Sequence, residues 1–254
     1  MRSAREATDG DSAADRTDVR GSPEAIAAEV LEKVERLGDA ERRELRQNNH
    51  PTSLRVLGAT APDLRAIEKD LSSRFRDAPA HQVVELAKAL VASRVLECQQ
   101  IAYQILDRHK GAASSLVLGD IETLGSGLDN WVSVDSFALR VAGPAWREER
   151  IPDDVIHRWA NSEDRWWRRA AVVCTVALNQ KARGGIGDPS RTLSVCRTVA
   201  GDHDDMVVKG LSWALRELVR RDPASAVGFL AEHDEVLAAR VKREVRRKIE
   251  TGRK

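Results

Sequence analysis

The hydrophobic pattern of this chain is helical almost from end to end, and no segment alternates convincingly as a strand does. Turn residues such as Pro62, Gly111, Pro144 and Pro223 interrupt this pattern at short intervals. The pattern predicts helices over residues 23–37, 39–48, 61–75, 81–93, 95–108, 112–124, 127–142, 152–160, 163–179, 189–200, 204–221, 224–232 and 234–250. Helix pairs that recur at about 35 to 40 residues are typical of stacked helical repeats. We therefore predict an all-α, HEAT-like α-solenoid of about six helix pairs, curved, with a concave basic face.

The chain has 254 residues and no internal linker rich in Pro, Gly or Ser, which favours one continuous unit. Residues 1–22 are small, charged and aperiodic, so we expect a disordered leader there. A repeat domain with a basic C-terminal tail should occupy 23–254, beginning at Ser22 and Pro23, a cap followed by proline at the first helical position. The chain lacks a long apolar segment and the apolar part of a signal peptide, which predicts a soluble cytoplasmic protein without membrane contact.

The composition leaves several tryptophans for purposes other than core packing. Aromatic residues make up only 4% of the chain, and six of them are Trp, so the core is expected to consist of Ala, Leu, Val and Ile. The three cysteines and six histidines have no metal or redox spacing, and we expect no cofactor and no metal site. The cysteines should be small core residues in a reducing compartment.

One tryptophan, Trp213, lies among cations on its predicted helix. The opposite face of that helix is an apolar stripe formed by Val208, Leu211, Leu215 and Leu218. Three cations share the side of Trp213: Lys209, Arg216 and Arg220. An aromatic ring among cations suits a ligand that offers both a flat face and phosphates. A Trp buried against a neighbouring helix, with its cations reaching to solvent, fits the same pattern.

Trp131 and Asp135 are four residues apart, so on a helix their side chains share one face. A ring beside a carboxylate suits cleavage of a glycosidic bond, because the ring supports the sugar and the carboxylate stabilises charge at the anomeric carbon. An exposed acid or a salt bridge within the helix is the alternative for Asp135.

Arg169 lies on an apolar helix face with Val173 and Val176 and therefore requires a partner. A carboxylate such as Asp135 or a phosphate oxygen would match its planar guanidinium. Arg168 beside it also fits an ordinary solvated charge. Further positive charge is concentrated in residues 240–254, where a phosphate-facing helix and a frayed basic terminus are both consistent with the pattern.

With these segments, the sequence from about Val56 onward resembles the AlkD-like DNA alkylation-repair glycosylases, helical-repeat proteins that remove alkylated purines from DNA. The resemblance is carried by residues 57–67, the spacing of Trp131 and Asp135, the arginine helix at 166–172 and the tryptophan helix at 210–217. It implies that Asp135 is the catalytic carboxylate, that Trp131 and Trp213 line the deoxyribose, and that Arg169 holds the neighbouring phosphate. An aromatic residue is also expected in the first repeats, and residues 47–50 offer none.

The resemblance implies a monofunctional glycosylase of base-excision repair that hydrolyses the N-glycosidic bond of N3-alkyladenine and N7-alkylguanine and permits bulky adducts. Its expected partner is double-stranded DNA carrying such purines, bound by a monomer without an obligate protein partner. The predicted DNA contacts are Arg168, Lys209, Arg216, Arg220, Arg243 and Arg247. Two alternatives remain open: a non-catalytic relative that binds damaged or branched DNA, and a solenoid scaffold for a protein partner.

Overall fold

The computed structural model describes residues 21–253. The helices are α1 (Pro23–Arg36), α2 (Ala40–Asn49), α3 (Ala61–Arg74), α4 (Ala80–Ala92), α5 (Leu96–Arg108), α6 (Lys110–Ser115), α7 (Leu118–Leu124), α8 (Trp131–Phe137), α9 (Gly143–Arg147), α10 (Asp153–Ala160), α11 (Arg165–Asn179), α12 (Pro189–Thr198), α13 (Asp205–Val219), α14 (Pro223–Glu232) and α15 (Ala239–Thr251). A π-helical turn (Ala138–Ala142) joins α8 to α9, and a 3-10 turn (Lys181–Arg183) follows α11. Over the described range, the only β pairing is one isolated bridge between Arg55 and Val95. The all-α prediction is confirmed.

The helices stack in pairs, as a HEAT-like solenoid requires. In the C-terminal half, α10 packs on α11, α12 on α13 and α14 on α15. The second members of these pairs also contact each other in succession, α11 with α13 and α13 with α15. Towards the N-terminus, α4 packs on both α1 and α5, and α5 also contacts α3 and α8. One buried apolar cluster runs through the stack from Ile26 to Val245, because each pair buries its apolar faces against its neighbours.

The first described helix begins where the sequence predicts. Ser22 caps α1 by accepting a hydrogen bond from the backbone N–H of Ala25 at 3.2 Å, and Pro23 occupies the first turn. Apart from its last two residues, the predicted leader at 1–22 lies outside the described residues. The domain boundary at residue 23 stays a prediction.

Three predicted helices have different limits in the structure, and one of them, predicted at 127–142, begins at Trp131. The segment 112–124 contains two short helices, since α6 ends at Ser115 and α7 begins at Leu118. In α7, the carboxylate of Asp120 accepts the backbone N–H of Val117 at 3.2 Å, and this local bond starts a new helix. The last helix begins at Ala239 instead of residue 234.

The predicted break at Pro144 is wrong, because the helical run from α8 to α9 passes through it. The backbone N–H of Gly143 donates to the carbonyl of Ala138, five residues earlier, so the turn is wider than an α-turn. Pro144 then occupies the first turn of α9, where its missing N–H costs no helical hydrogen bond. Gly143 fits here because a Cβ on it would lie 2.7 Å from the Cβ of Ala177.

Polar contacts hold α2 in place, since none of its residues is buried. Arg46 donates to the carboxylate of Glu97 at 3.1 Å and to the carbonyl of Ala59 at 2.8 Å. The Glu97 side chain is fully buried and also accepts the backbone N–H groups of Leu57 and Gly58. This network fixes the end of α2, which carries its last residue, Asn49, and the following residue, His50, into the site described below.

Candidate active site

A cavity of about 620 Å³ opens where the end of α2 meets α8, α11 and α13. Its lining consists of Asn49, His50, Trp131, Asp135, Arg169, Met206, Lys209, Trp213 and Arg216. The four residues that the sequence assigns to catalysis therefore lie around one space. Side chains from three separate helices meet here, so the arrangement depends on how the repeats stack.

Asp135 and Arg169 form a two-pronged ion pair in the lining of this cavity. Arg169 Nε donates to one carboxylate oxygen of Asp135 and Nη2 to the other, both at 2.8 Å. The pair is largely removed from solvent, with side-chain exposures of 14% for Asp135 and 6% for Arg169. Parallel N–H···O bonds of this kind are stronger and more directional than single contacts between ions. Arg169 thus orients the carboxylate and compensates its charge.

The two helices that carry the pair begin at well-formed caps. The side chain of Asn130 is buried and accepts the backbone N–H of Ser133 at 2.9 Å, which starts α8 at Trp131. The side chain of Asp164 accepts the backbone N–H of Trp166 at 2.8 Å and starts α11. Both members of the ion pair therefore project from the first two turns of their helices.

Two opposing effects act on the carboxyl group of Asp135. Burial raises the pKa of Asp135 above its ordinary value, while the hydrogen bonds and the charge of Arg169 act to lower it. The two-pronged contact requires the ionised carboxylate, which accepts on both oxygens. The site therefore holds a negative charge in a poorly solvated place, where electrostatic interactions are strong.

Arg169 lies on an apolar helix face and is paired there with a carboxylate. Val173 and Val176 are fully buried on the same helix, as the sequence predicts. A third donor, Nη1 of Arg169, contacts the backbone carbonyl of Met206 at the start of α13. Nη1 and Nη2 each keep one further hydrogen, because a guanidinium has five in all. The predicted phosphate contact of Arg169 stays a prediction and would use these two donors.

Trp131 and Trp213 are the two tryptophans that line the cavity. Trp131 is 37% exposed, whereas Trp213 is half-buried and also packs against the core. Of the other four, Trp146, Trp159 and Trp166 are buried in the core, and Trp167 is half-buried and packs against it. The apolar stripe on the opposite side of α13 is buried as predicted. The Trp213 ring thus lines the cavity and also rests on the core, and both interpretations of this residue stay predictions.

Four of the six predicted DNA-contacting cations line a cavity or cleft, and two do not. Lys209 and Arg216 line the cavity, and Arg216 also lines a smaller cleft of about 300 Å³ together with Arg243 and Arg247 of α15. Arg168 is engaged within the protein, because Nε contacts Asp202 at 2.6 Å and Nη1 donates to the carbonyls of residues 162 and 163. Arg220 is exposed and lines neither space. All six DNA contacts stay predictions.

Three lining residues were not predicted from the sequence: Asn49, His50 and Met206. An aromatic residue was expected on this side, where residues 47–50 offer none; His50 provides an imidazole ring there, and it contacts Trp131 edge-on with ring centroids 4.8 Å apart. The gap in the aromatic pattern at 47–50 was the available signal, because an imidazole can replace an aromatic ring at such a position. Met206 could be assigned to the site only from the packing of α13 on α11.

A second cavity, of about 540 Å³, lies at the C-terminal ends of α3 and α5. Its lining contains cations, including Lys69, Arg76 and Arg108, but no carboxylate. It therefore has no group that could stabilise a cationic sugar. Cations at helix C-termini are also common for local reasons, since they complement the helix dipole.

The described residues contain no group of three or more His, Cys, Asp and Glu side chains arranged to hold a metal ion. The three cysteines are buried and free, in agreement with the expected core positions. No helix between residues 21 and 253 is both long and apolar enough to cross a membrane.

Comparison with known proteins agrees with the fold. The sequence matches the family described as DNA alkylation repair enzyme over residues 30–249. No curated protein matches the chain. A solved structure described as a predicted DNA alkylation repair enzyme from Enterococcus faecalis has the same fold, with a TM-score of 0.68, 16% identity and coverage of 84% of this chain and 97% of that one. Because the family match extends over most of the sequence, this chain belongs to the DNA alkylation repair enzyme family.

Proposed function

We propose that this enzyme is a monofunctional DNA glycosylase that hydrolyses the N-glycosidic bond of cationic alkylated purines, N3-alkyladenine and N7-alkylguanine, with bulky adducts permitted. The observation that carries the proposal is the Asp135 carboxylate, held by Arg169 in a cavity walled by Trp131 and Trp213. Such a site is suited to a reaction in which positive charge develops on a sugar.

The departing purine needs little catalytic assistance in this reaction. A purine alkylated at N3 or N7 is already cationic, so it leaves as a neutral molecule and takes the electron pair of the breaking C1′–N bond. The deoxyribose then becomes oxocarbenium-like, and the Asp135 carboxylate stabilises that charge in a poorly solvated site. Packing of the sugar on Trp131 and Trp213 adds cation–π stabilisation of about 0.5–2 kcal/mol each. Water bonds to C1′ and releases its proton to Asp135 or solvent, which leaves an abasic site.

We expect hydrolysis without strand cleavage because the one lysine that lines the cavity is engaged in an ion pair. Lys209 Nζ forms an ion pair with Asp205 at 2.6 Å, so this nitrogen is engaged by a carboxylate. A Schiff base with C1′ would need the neutral amine. Borohydride added during the reaction should therefore trap no covalent protein–DNA adduct.

The deciding experiment is incubation with three duplexes that carry N7-methylguanine, N3-methyladenine and a bulky N3-alkyladenine, followed by mass spectrometry of the released bases. Release above the uncatalysed rate from at least one duplex is expected, with abasic DNA as the second product. Binding of the lesion duplexes without release would indicate a non-catalytic damage-binding protein. Absence of salt-dependent DNA binding would point instead to a protein-binding scaffold.

The rate of base release should fall in acid as Asp135 becomes protonated. Because burial raises the pKa of Asp135, the acid limb of the single-turnover rate should lie above that of an ordinary aspartate, about pH 4. A raised carboxyl pKa in the folded state means that this group stabilises the fold more as pH falls, so unfolding driven by Asp135 cannot cause the loss. Rates corrected for spontaneous depurination that stay level below about pH 4 would contradict this assignment.

Trp213→Ala should slow base release by about tenfold, within the range of a lost cation–π contact. Its effect on stability should be smaller than that of Trp146→Ala, because Trp146 is fully buried and emptying such a site costs about 3–5 kcal/mol. Thermal melts and single-turnover rates of the two variants make the comparison. If Trp213→Ala melts as low as Trp146→Ala and its folded fraction retains the full rate, Trp213 is a core residue only.

A further inference from the structure

The indole ring of Trp131 is held by a hydrogen bond to a histidine. Trp131 Nε1 lies 3.0 Å from His50 Nδ1, and the ring planes meet at 86°. An indole N–H can only donate, so His50 Nδ1 accepts and the imidazole proton is on Nε2. In this arrangement the imidazole is neutral. It therefore adds no positive charge to a site that must stabilise a cationic sugar.

The chain segments that carry the two rings are tied together next to this contact. The hydroxyl of Thr52 and the backbone N–H of Ser53 both donate to the carboxylate of Asp129. Nδ2 of Asn130, the residue that caps α8, lies 3.3 Å from the hydroxyl of Thr52. The start of α8 and the segment after α2 thus form one polar junction, and the His50–Trp131 contact lies at its edge, facing the cavity.

The anchor of α2 completes this support. Through Arg46, the helix is bound to the buried carboxylate of Glu97 and cannot drift from α5 without breaking an ion pair. His50 follows the last residue of α2 and is half-buried. Its position is therefore set by contacts within the protein. Within residues 21–253, His50 is the only hydrogen-bond partner of Trp131 Nε1.

We propose that His50 is a positioning residue for base release, which holds the Trp131 ring at the angle needed to pack on the deoxyribose. This inference rests on the proposed glycosylase function and adds to it a residue of the first helices. Trp131 needs such a partner because it is the more exposed of the two rings in the cavity and begins its helix. A ring displaced by about 1 Å can lose much of its effect on a transition state, up to about a hundredfold in rate.

Two substitutions test the aromatic ring of His50 and its hydrogen-bond acceptor separately. His50→Phe keeps an aromatic ring and removes the acceptor, whereas His50→Gln supplies a carbonyl acceptor without a ring. We expect His50→Phe to slow single-turnover release by about tenfold while the DNA dissociation constant changes less than about twofold. His50→Gln should recover most of the rate. His157→Phe is the matched control, because it removes an imidazole that is bonded to Ser194 at 3.0 Å outside the cavity.

The indole N–H resonance of Trp131 reports the contact directly. It is assigned by its loss in Trp131→Phe, and it should move upfield in His50→Phe and stay near its original position in His50→Gln. The double variant His50→Phe/Trp131→Phe should release base no more slowly than Trp131→Phe alone, because His50 acts only through Trp131.

Three results would overturn the inference. Additive losses in the double variant would mean that His50 acts on the DNA itself. An unchanged rate in His50→Phe, with a shifted indole resonance, would mean that the contact exists but does not position the ring for catalysis. An unmoved resonance would show that the hydrogen bond is not formed. Failure of the proposed function is distinguishable from all three, since the unaltered protein would then release no base from any duplex.

Discussion

Asp135→Asn should slow base release by at least about 100-fold while the DNA dissociation constant stays within a few fold. The substitution keeps the shape of the side chain and removes the negative charge, which is needed only when the sugar becomes cationic. Single-turnover rates with excess enzyme, on duplexes carrying N7-methylguanine or N3-methyladenine, measure this effect without interference from product release. Binding of the same duplexes measures the second part of the expectation.

The control for this variant is Asp205→Asn, which neutralises an exposed carboxylate next to the cavity. Asp205 pairs with Lys209 at 2.6 Å but does not line the cavity, so its loss should change the rate no more than a few fold. In Asp135→Asn, the amide nitrogen has no acceptor on the Arg169 guanidinium, so the melting temperature should fall somewhat. A near-normal rate per folded molecule in Asp135→Asn would remove Asp135 from the mechanism.

Arg169→Ala should lower both the stability of the protein and its rate of base release. The substitution leaves the Asp135 carboxylate buried without a partner, and breaking such a pair from one side costs about 3–5 kcal/mol. Without Arg169 only the burial effect remains, so the pKa of Asp135 should rise further and a smaller fraction of it would be ionised. Urea unfolding, together with rates at several pH values, separates these contributions. Raising the pH should recover part of the lost rate.

Arg158→Ala is a suitable control for the stability measurement. Arg158 forms an exposed ion pair with Glu122, and such pairs contribute about 0–1 kcal/mol. If Arg169→Ala unfolds at lower urea but shows a normal rate per folded molecule, Arg169 is a structural partner only. If DNA binding also keeps its salt dependence, the predicted phosphate contact of Arg169 is wrong.

Features within one helix were accessible from the sequence. Trp131 and Asp135 share a face because they are four residues apart, and the buried stripe of α13 follows from the same periodicity. The demand of Arg169 for a partner was also visible, since a cation on an apolar face cannot stay unpaired. The rule that proline breaks a helix failed at Pro144. This residue interrupts no helix, because the π-helical turn before it places Pro144 in the first turn of α9, where no helical hydrogen bond is lost.

Contacts between distant parts of the chain came from the stacking of the repeats. Asp135 and Arg169 are 34 residues apart, and His50 and Trp131 are 81 apart, so no periodicity connects either pair. Arg168 and Arg169 are neighbours with similar sequence surroundings, yet Arg168 binds Asp202 while Arg169 enters the cavity, because adjacent residues on a helix point about 100° apart. The helical periodicity specifies which face of each helix is buried. The packing of α8, α11 and α13 specifies which side chains meet there, since it sets the distances between helices that the chain order leaves open.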